Sequence, residues 1–218
     1  MAAQLTIADA AALLDAVAVD LIAAKDDLTA LDAALGDGDL GRTIERGFAA
    51  VRENLKEPAE ADLGRFLFQQ GKAFNTAAAS SFGTLFSTLL QKSGQALKDK
   101  QAATLPELVD ALQAAFDALR ERGKASVGDK TMLDALHPAL EAMRAALAQS
   151  EPATLAGLLR AAAAAADQGA AQTKAMQSQI GRASWKGERS VGHEDPGARA
   201  IALMFAAAAR WAESSTSS

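Results

Sequence analysis

Apolar residues recur at three- and four-residue spacing along almost the whole chain, and no stretch alternates convincingly between apolar and polar residues. That period places one apolar stripe on each of a series of helices, so the fold has to be built by packing helix on helix. Half of the residues are hydrophobic, with alanine abundant and aromatics few. Alanine favours helix and lets neighbouring helices approach closely. The spacing predicts eight helices and an all-α fold. The first runs from about Ile7 to Leu35, with room for a break, and Thr6 with Asp9 resembles a capping box at its start. The next three cover about Gly41–Leu55 (stopping before Pro58), Ala61–Asn75 and Ser81–Gly94. The fifth opens on Thr104-Leu105-Pro106-Glu107 and ends near Gly123. The sixth spans about Thr131–Ala148 despite Pro138, and the seventh about Ala153–Met176. The eighth starts at the cap-plus-proline pair Asp195-Pro196 and ends near Ala212. Most connections are short, which favours antiparallel neighbours. A single domain over residues 1–213 is expected, with a disordered tail at 214–218 that has nothing to bury.

Charge and composition exclude several classes. A net charge of -5 argues against a nucleic-acid surface. There is no cysteine, so neither a disulfide nor a thiolate metal site can form. No apolar run reaches a membrane span, because Arg160 interrupts the alanine-rich stretch Leu155–Ala166. The N-terminal stretch carries Asp9, Asp15 and Asp20 and no basic leader, so it does not read as a signal peptide. A cytoplasmic location is the expectation.

Three aspartates fall in one short segment, Asp32-Ala33-Ala34-Leu35-Gly36-Asp37-Gly38-Asp39. Asp32 lies near the end of a helical pattern. Gly36 reads as the residue past that end, where φ > 0 is easiest for glycine. Asp37 and Asp39 flank Gly38 in a tight turn, and a new helix starts around Gly41. Three carboxylates thus gather beside a helix N-terminus. Hard cations such as Mg2+ want carboxylate oxygens and often share them with substrate phosphates. A helix N-terminus offers free N–H groups to those phosphates. The alternative is an ordinary Asp-Gly-Asp turn and cap. An EF-hand is excluded, since a loop starting at Asp37 would need Glu where Phe48 stands.

Other segments read in two ways. Gln177–Glu194 is long and polar, with Arg182, Lys186 and Arg189 making it basic in an acidic chain. An ordered lid that clamps phosphate is favoured, with Trp185 and Val191 available for packing; a solvated surface loop is the alternative. In Gly123–Met132, Asp129 or Thr131 could cap the sixth helix, and Met132 could face a flat ring. Ser80 or Ser81 could cap the fourth helix or face a second phosphate site. His137 reads as structural and His193 as a candidate ligand contact. The P-loop pattern ending in Gly-Lys-Ser/Thr is missing.

Gly36-Asp37-Gly38-Asp39, Gly128-Asp129-Lys130-Thr131-Met132, and Gly181-Arg182-Ala183-Ser184 through Gly187–His193 to Asp195-Pro196-Gly197 match a known family in order and spacing. Over essentially its whole length the chain resembles the nucleotide-binding L subunit, or L domain, of dihydroxyacetone kinases. The resemblance implies an eight-helix antiparallel barrel with a nucleotide, ADP or ATP, at one end. It implies that Asp32, Asp37 and Asp39 hold two Mg2+ ions bridging the phosphates. It also implies that Leu40, Gly41, Arg42 and Thr43 meet those phosphates, and that Ser81, Phe82, Gly123, Thr131, Met132, Arg182, Asp195 and Pro196 complete the pocket. Two positions depart from the family pattern. Leu40 stands where His is usual, and Phe82 falls on a usual serine, for which Ser80 or Ser81 could substitute.

The implied activity is phosphoryl transfer to a small ketose, with the three aspartates and Arg182 as catalytic residues. The sugar is expected on a separate K-type subunit that binds it through a histidine. The donor is either exchangeable ATP or resident ADP recharged by a phosphocarrier protein of the sugar phosphotransferase system. A homodimer is compatible with the sequence. Two alternatives are a fatty-acid kinase nucleotide domain, against which the Gly181–Gly197 motif argues, and a nucleotide-loaded module that regulates without turnover.

Overall fold

Two threonine caps open the architecture. In the computed structural model, which describes residues 4–56, 62–149 and 153–216, strand β1 (Gln4–Thr6) leads into helix α1 (Ile7–Ala23). The Thr6 hydroxyl accepts from the Asp9 N–H at 3.2 Å, and Asp9 accepts from the Thr6 N–H at 3.0 Å. The same reciprocal box joins Thr104 and Glu107 at the start of helix α6 (Leu105–Gly123). Strand β2 (Ala102–Thr104) precedes that box and pairs antiparallel with β1, Leu5 opposite Ala103. The sequence period predicts no strand, and these two form nonetheless. Segments of three residues are too short for alternation to register, and pairing here comes from bringing two helix starts together.

The expected first helix is two, α1 and α2 (Lys25–Leu35), broken at Ala24. Helices α3 (Leu40–Asn54), α4 (Leu63–Ala77) and α5 (Ser81–Ala96) follow, then α6, α7 (Leu133–Leu147), α8 (Leu155–Gln172) and α9 (Pro196–Thr216). The expected stop before Pro58 and start at Ala61 lie outside the described residues. The seventh predicted helix ends at Gln172 and passes into a 3-10 turn, Thr173–Ala175. Helix α9 runs past Ala212 to Thr216, so residues 214–216 are helical where a disordered tail was expected. The Ser214 and Ser215 hydroxyls donate to the Trp211 carbonyl there.

Helix α1 packs on α3, α3 on α4, and so on through α9, which returns to α1. Among the described residues eight helices, counting α2 as the offset continuation of α1, close an antiparallel barrel. Antiparallel order has a consequence for function. The helices that begin at one end are α3, α5, α7 and α9, with α2 and α6 ending there.

Packing of the barrel is tight where side chains are small. Phe48, Phe74 and Phe86 from α3, α4 and α5 form an aromatic cluster, with ring centroids 4.7–5.3 Å apart. All three are buried, each contributing about 2–3 kcal/mol of apolar burial. Alanines 162, 166, 170, 198 and 202 of α8 and α9 are buried, and the two helices pack on one another. Pro138 sits inside α7 and leaves the Asp134 carbonyl without its helical donor. Gly169 of α8 lies against that carbonyl, and a Cβ there would collide with it.

Candidate functional site

The corner between α2 and α3 is built by glycines. At Gly36 the backbone has φ −127°, so the left-handed conformation expected there does not occur. What requires glycine is space: an added Cβ would lie 2.6 Å from an Asp32 carboxylate oxygen. The left-handed residue is Gly38, at φ +72°. This turn folds Asp37 and Asp39 back onto Asp32, and one carboxylate oxygen from each lies within 4.8 Å of the others. Asp32 also accepts a hydrogen bond from the Leu40 N–H at 3.1 Å, tying the cluster to the first turn of α3. Gly41 lets α3 press on α2, since a Cβ there would strike the Lys25 carbonyl and the Thr29 hydroxyl.

These carboxylates border a cleft of about 630 Å³ at the end of the barrel where alternate helices begin. Leu40, Ser81, Met132 and Pro196 mark the starts of α3, α5, α7 and α9 on its wall. Each helix start carries unpaired N–H groups and a partial positive charge. Four of them around one cleft, beside three carboxylates, give a site with adjoining cation-binding and anion-binding halves.

Most sequence-predicted residues meet here. Asp32, Asp37, Asp39, Leu40, Ser81, Phe82, Gly123, Thr131, Met132, Arg182, Asp195 and Pro196 all line the cleft. Four do not. Gly41 and Thr43 are buried behind the wall and Arg42 points to solvent. Ser80 is occupied as the cap of α5: its hydroxyl accepts from the Gly83 N–H at 3.0 Å and from the Thr43 hydroxyl at 3.2 Å. Ser81 is therefore the hydroxyl that faces the cleft. Leu40 turns its side chain into the core, and only its backbone N–H remains at the site. Phe82 stacks parallel to Phe86 at 6.1 Å. Neither Asp129 nor Thr131 caps α7 as expected. Asp129 accepts from the Ser126 N–H, and Thr131 accepts from Leu133, one position into the helix.

The basic segment is ordered as a kinked 3-10 helix, Arg182–Ser190, that bends at Gly187. Arg182 reaches across the cleft and pairs with Asp37. Trp185 does not pack as expected. It is 85% exposed, standing at the rim, and Val191 is also exposed. A three-residue-period turn presents few side chains inward, so the loop is held largely by hydrogen bonds to its backbone groups. His193 is exposed and contributes only its carbonyl, while His137 stacks on Phe116, a structural position.

Two groups escaped the sequence reading. Asp134, buried, accepts from the N–H groups of Gly128 and Thr131 at 2.5 and 2.7 Å and shapes the loop that carries Met132. Lys130, buried at the floor of the cleft, donates to three carbonyls. Burial lowers its pKa, with Asp195 acting in the opposite direction. Burial pushes the Asp195 carboxyl up to about 7; its hydrogen bond from Ala198 opposes the rise and the Asp134 carboxylate adds to it. A lysine inside a polar motif has no periodicity to betray its burial, so no sequence signal separates it from a surface lysine.

A helical barrel with a cleft at one end, walled by helix starts and carboxylates, is the class this fold and site define. Residues 34–210 match the DAK2 domain, and the chain belongs to that family. It is 39% identical over 178 residues to DhaL, the ADP-binding subunit of the PEP-dependent dihydroxyacetone kinase of Escherichia coli (strain K12), covering 82% of this chain and 84% of that protein. It is 38% identical over 191 residues to the D-erythrulose kinase of Mycolicibacterium smegmatis, covering 87% of this chain and 33% of the enzyme. The crystal structure of the C. freundii dihydroxyacetone kinase in complex with AMP-PNP and Mg2+ matches with a TM-score of 0.73 at 30% identity, over 92% of this chain and 33% of that one. The chain thus spans most of the bacterial subunit but about a third of the longer kinases. Among the described residues no helix is long and apolar enough to cross a membrane.

Proposed function

We propose that this chain is the nucleotide-binding, phosphoryl-transferring subunit of a small-ketose kinase of the dihydroxyacetone type. The observation that carries the reading is the meeting of Asp32, Asp37 and Asp39 with four helix starts in one cleft. The donor set is all carboxylate oxygen, which fits a hard divalent cation. These three residues hold two Mg2+ ions, and Mg2+ there neutralises phosphate charge during transfer. The α3 start from Leu40 and the Ser81 end of α5 receive phosphate oxygens. Arg182, already at the acidic corner, adds a positive charge from the lid. Phe82, Gly123, Met132 and Pro196 supply an apolar wall for a base. The chain's contribution is positioning and electrostatics, which is what phosphoryl transfer asks of a protein.

The acceptor is held by a separate K-type subunit in the cytoplasm. The donor is ATP, or resident ADP recharged by a phosphocarrier. The DhaL relative, named as the ADP-binding subunit of a PEP-dependent kinase, supports the second. The decisive experiment is to denature freshly purified protein and analyse the released nucleotide and Mg2+, then assay transfer with a K-type partner. Near-stoichiometric ADP that survives dialysis supports a resident coenzyme, and an empty protein that binds Mg-ATP reversibly supports an ATP-dependent subunit. A protein that is empty and binds no Mg-nucleotide refutes the reading. Leu40 and Phe82 remove polar groups from the phosphate corner and favour, as the second reading, a nucleotide-loaded regulatory module. Mg-nucleotide binding without transfer in the reconstituted assay would select it.

A further inference from the structure

Residues 176–193 form the basic lid of the cleft, and the structure assigns Lys130 as the residue that positions it. Lys130 is 2% exposed and sits at φ +63°, a backbone conformation that lysine seldom adopts. A glycine would meet that backbone more easily, so the side chain itself is what the site uses. Its ammonium donates to the carbonyls of Met176 at 3.1 Å, Ser190 at 2.5 Å and His193 at 2.7 Å. Three donors meet three acceptors, so the buried charge is fully hydrogen-bonded. The acceptors lie on both sides of the lid: Met176 enters it, and Ser190 and His193 leave it. One ammonium therefore closes the base of the loop whose tip carries Arg182 and Trp185 to the cleft.

Other ties run in parallel. The Gly192 N–H donates to the Lys174 carbonyl at 2.7 Å and the Ser178 N–H to the Ser190 hydroxyl at 2.9 Å, both across the base of the loop, and the Gln179 N–H donates to the Asp129 carbonyl at 3.1 Å. None of them both spans the loop and bonds it to the α6–α7 connection, as Lys130 does. Without the ammonium, three carbonyls lose their donor and the lid can lift. Arg182 then leaves the phosphate corner for part of the time, and apparent affinity is multiplied by the fraction of time the lid is closed.

The consequence for ligand binding rests on the nucleotide reading, but the mechanical role does not. The test compares wild type, Lys130→Met and Lys130→Arg in the full chain by hydrogen exchange without ligand and by Mg-ADP titration. In Lys130→Met, protection within 176–193 should be lost while that of α3–α5 is kept. Mg-ADP affinity should fall by about tenfold, as a lid closed about a tenth of the time requires. Lys130→Arg, whose guanidinium still offers several donors, should recover lid protection and most of the affinity. The assignment is overturned by wild-type lid protection in Lys130→Met, by loss of protection spread through the whole barrel, or by an Arg variant no better than Met. Wild-type protein that binds no Mg-ADP defeats the nucleotide reading alone, and the exchange data still decide the positioning role.

Discussion

Asp39→Asn should make the protein more stable when it is empty and less stable when it is loaded. Asp39 is the cleanest member of the triad to change. Asp32 accepts the Leu40 N–H and Asp37 pairs with Arg182, whereas the Asp39 side chain caps nothing. With carboxylate oxygens within 4.8 Å, each like-charge pair costs about 1 kcal/mol in a water-like medium and about 3.5 kcal/mol at an effective dielectric of 20. Neutralising Asp39 removes two such pairs. Asp37 is exposed and the other two are half-buried, so the low end applies. Arg182 already offsets part of the charge on Asp37. A net gain of about 1–2 kcal/mol follows, or roughly 2–8 °C in Tm for a chain of this size. The gain should shrink at high salt, where screening acts over about 3 Å. Saturating Mg-ADP at about a hundred times Kd would add about 2.7 kcal/mol to wild type, and the variant should lose most of that addition. The assay is thermal melting in EDTA and in Mg-ADP, at low and high salt. A variant that melts lower in EDTA, or keeps the wild-type shift with Mg-ADP, would refute the reasoning.

Ser80→Ala removes the acceptor for Gly83 and for the Thr43 hydroxyl; a loss of about 1 kcal/mol and a Tm lower by roughly 2–4 °C are expected by calorimetry. Gly41→Ala drives a methyl into the Lys25 carbonyl and the Thr29 hydroxyl. Overpacking of that kind should cost about 2 kcal/mol or more in a urea melt and weaken Mg-ADP binding, because α2 and α3 carry the triad. Asp195 has a folded pKa of about 7 against an ordinary 3.8, so its protonated form favours the fold. That contribution is full below the ordinary value and lost as pH rises through about 7. Asp195→Asn, which keeps an oxygen for the Ala198 N–H, should flatten the decline in Tm over that window, and an unchanged slope would assign it to other groups.

The periodicity was enough to reveal the helical fold because each barrel helix buries one stripe against two neighbours, and a stripe is what periodicity records. Caps at Thr6 and Thr104 were equally legible, since both partners of each box lie within four residues. What escaped was non-local. The pairing of Leu5 with Ala103 joins segments far apart in sequence, and three residues leave no pattern. Tryptophan reads as a packing residue in sequence, yet Trp185 is exposed, because the lid is tied at its base by hydrogen bonds to its backbone carbonyls and not by the packing of its tip. Gly36 does stand at the corner, but not for its left-handed freedom. Its glycine is required by the Asp32 carboxylate pressing on it, a contact that sequence cannot display. The aspartate triad was legible because its members are close in sequence. Lys130 was not, because the three carbonyls that define it lie forty-six to sixty-three positions away.

Leu40 and Phe82 bear on how the proposed phosphate site would work. Both are apolar, yet both stand in the first turn of a helix whose N-terminus faces the cleft. The backbone N–H groups and the dipole at those starts do not depend on side-chain identity. Ser81 stays at the α5 start with its hydroxyl free of the cap that Ser80 supplies. The antiparallel barrel therefore provides an anion-binding wall from topology alone, by setting the starts of α3, α5, α7 and α9 side by side. Side chains then tune that wall. With apolar side chains at two of its starts, the cleft still has the carboxylate triad, four helix starts and Arg182, the set on which the proposed metal-bound phosphate site rests. The proposed site would therefore depend least on individual side chains at the helix starts and most on the three aspartates, whose oxygens nothing in the backbone can replace.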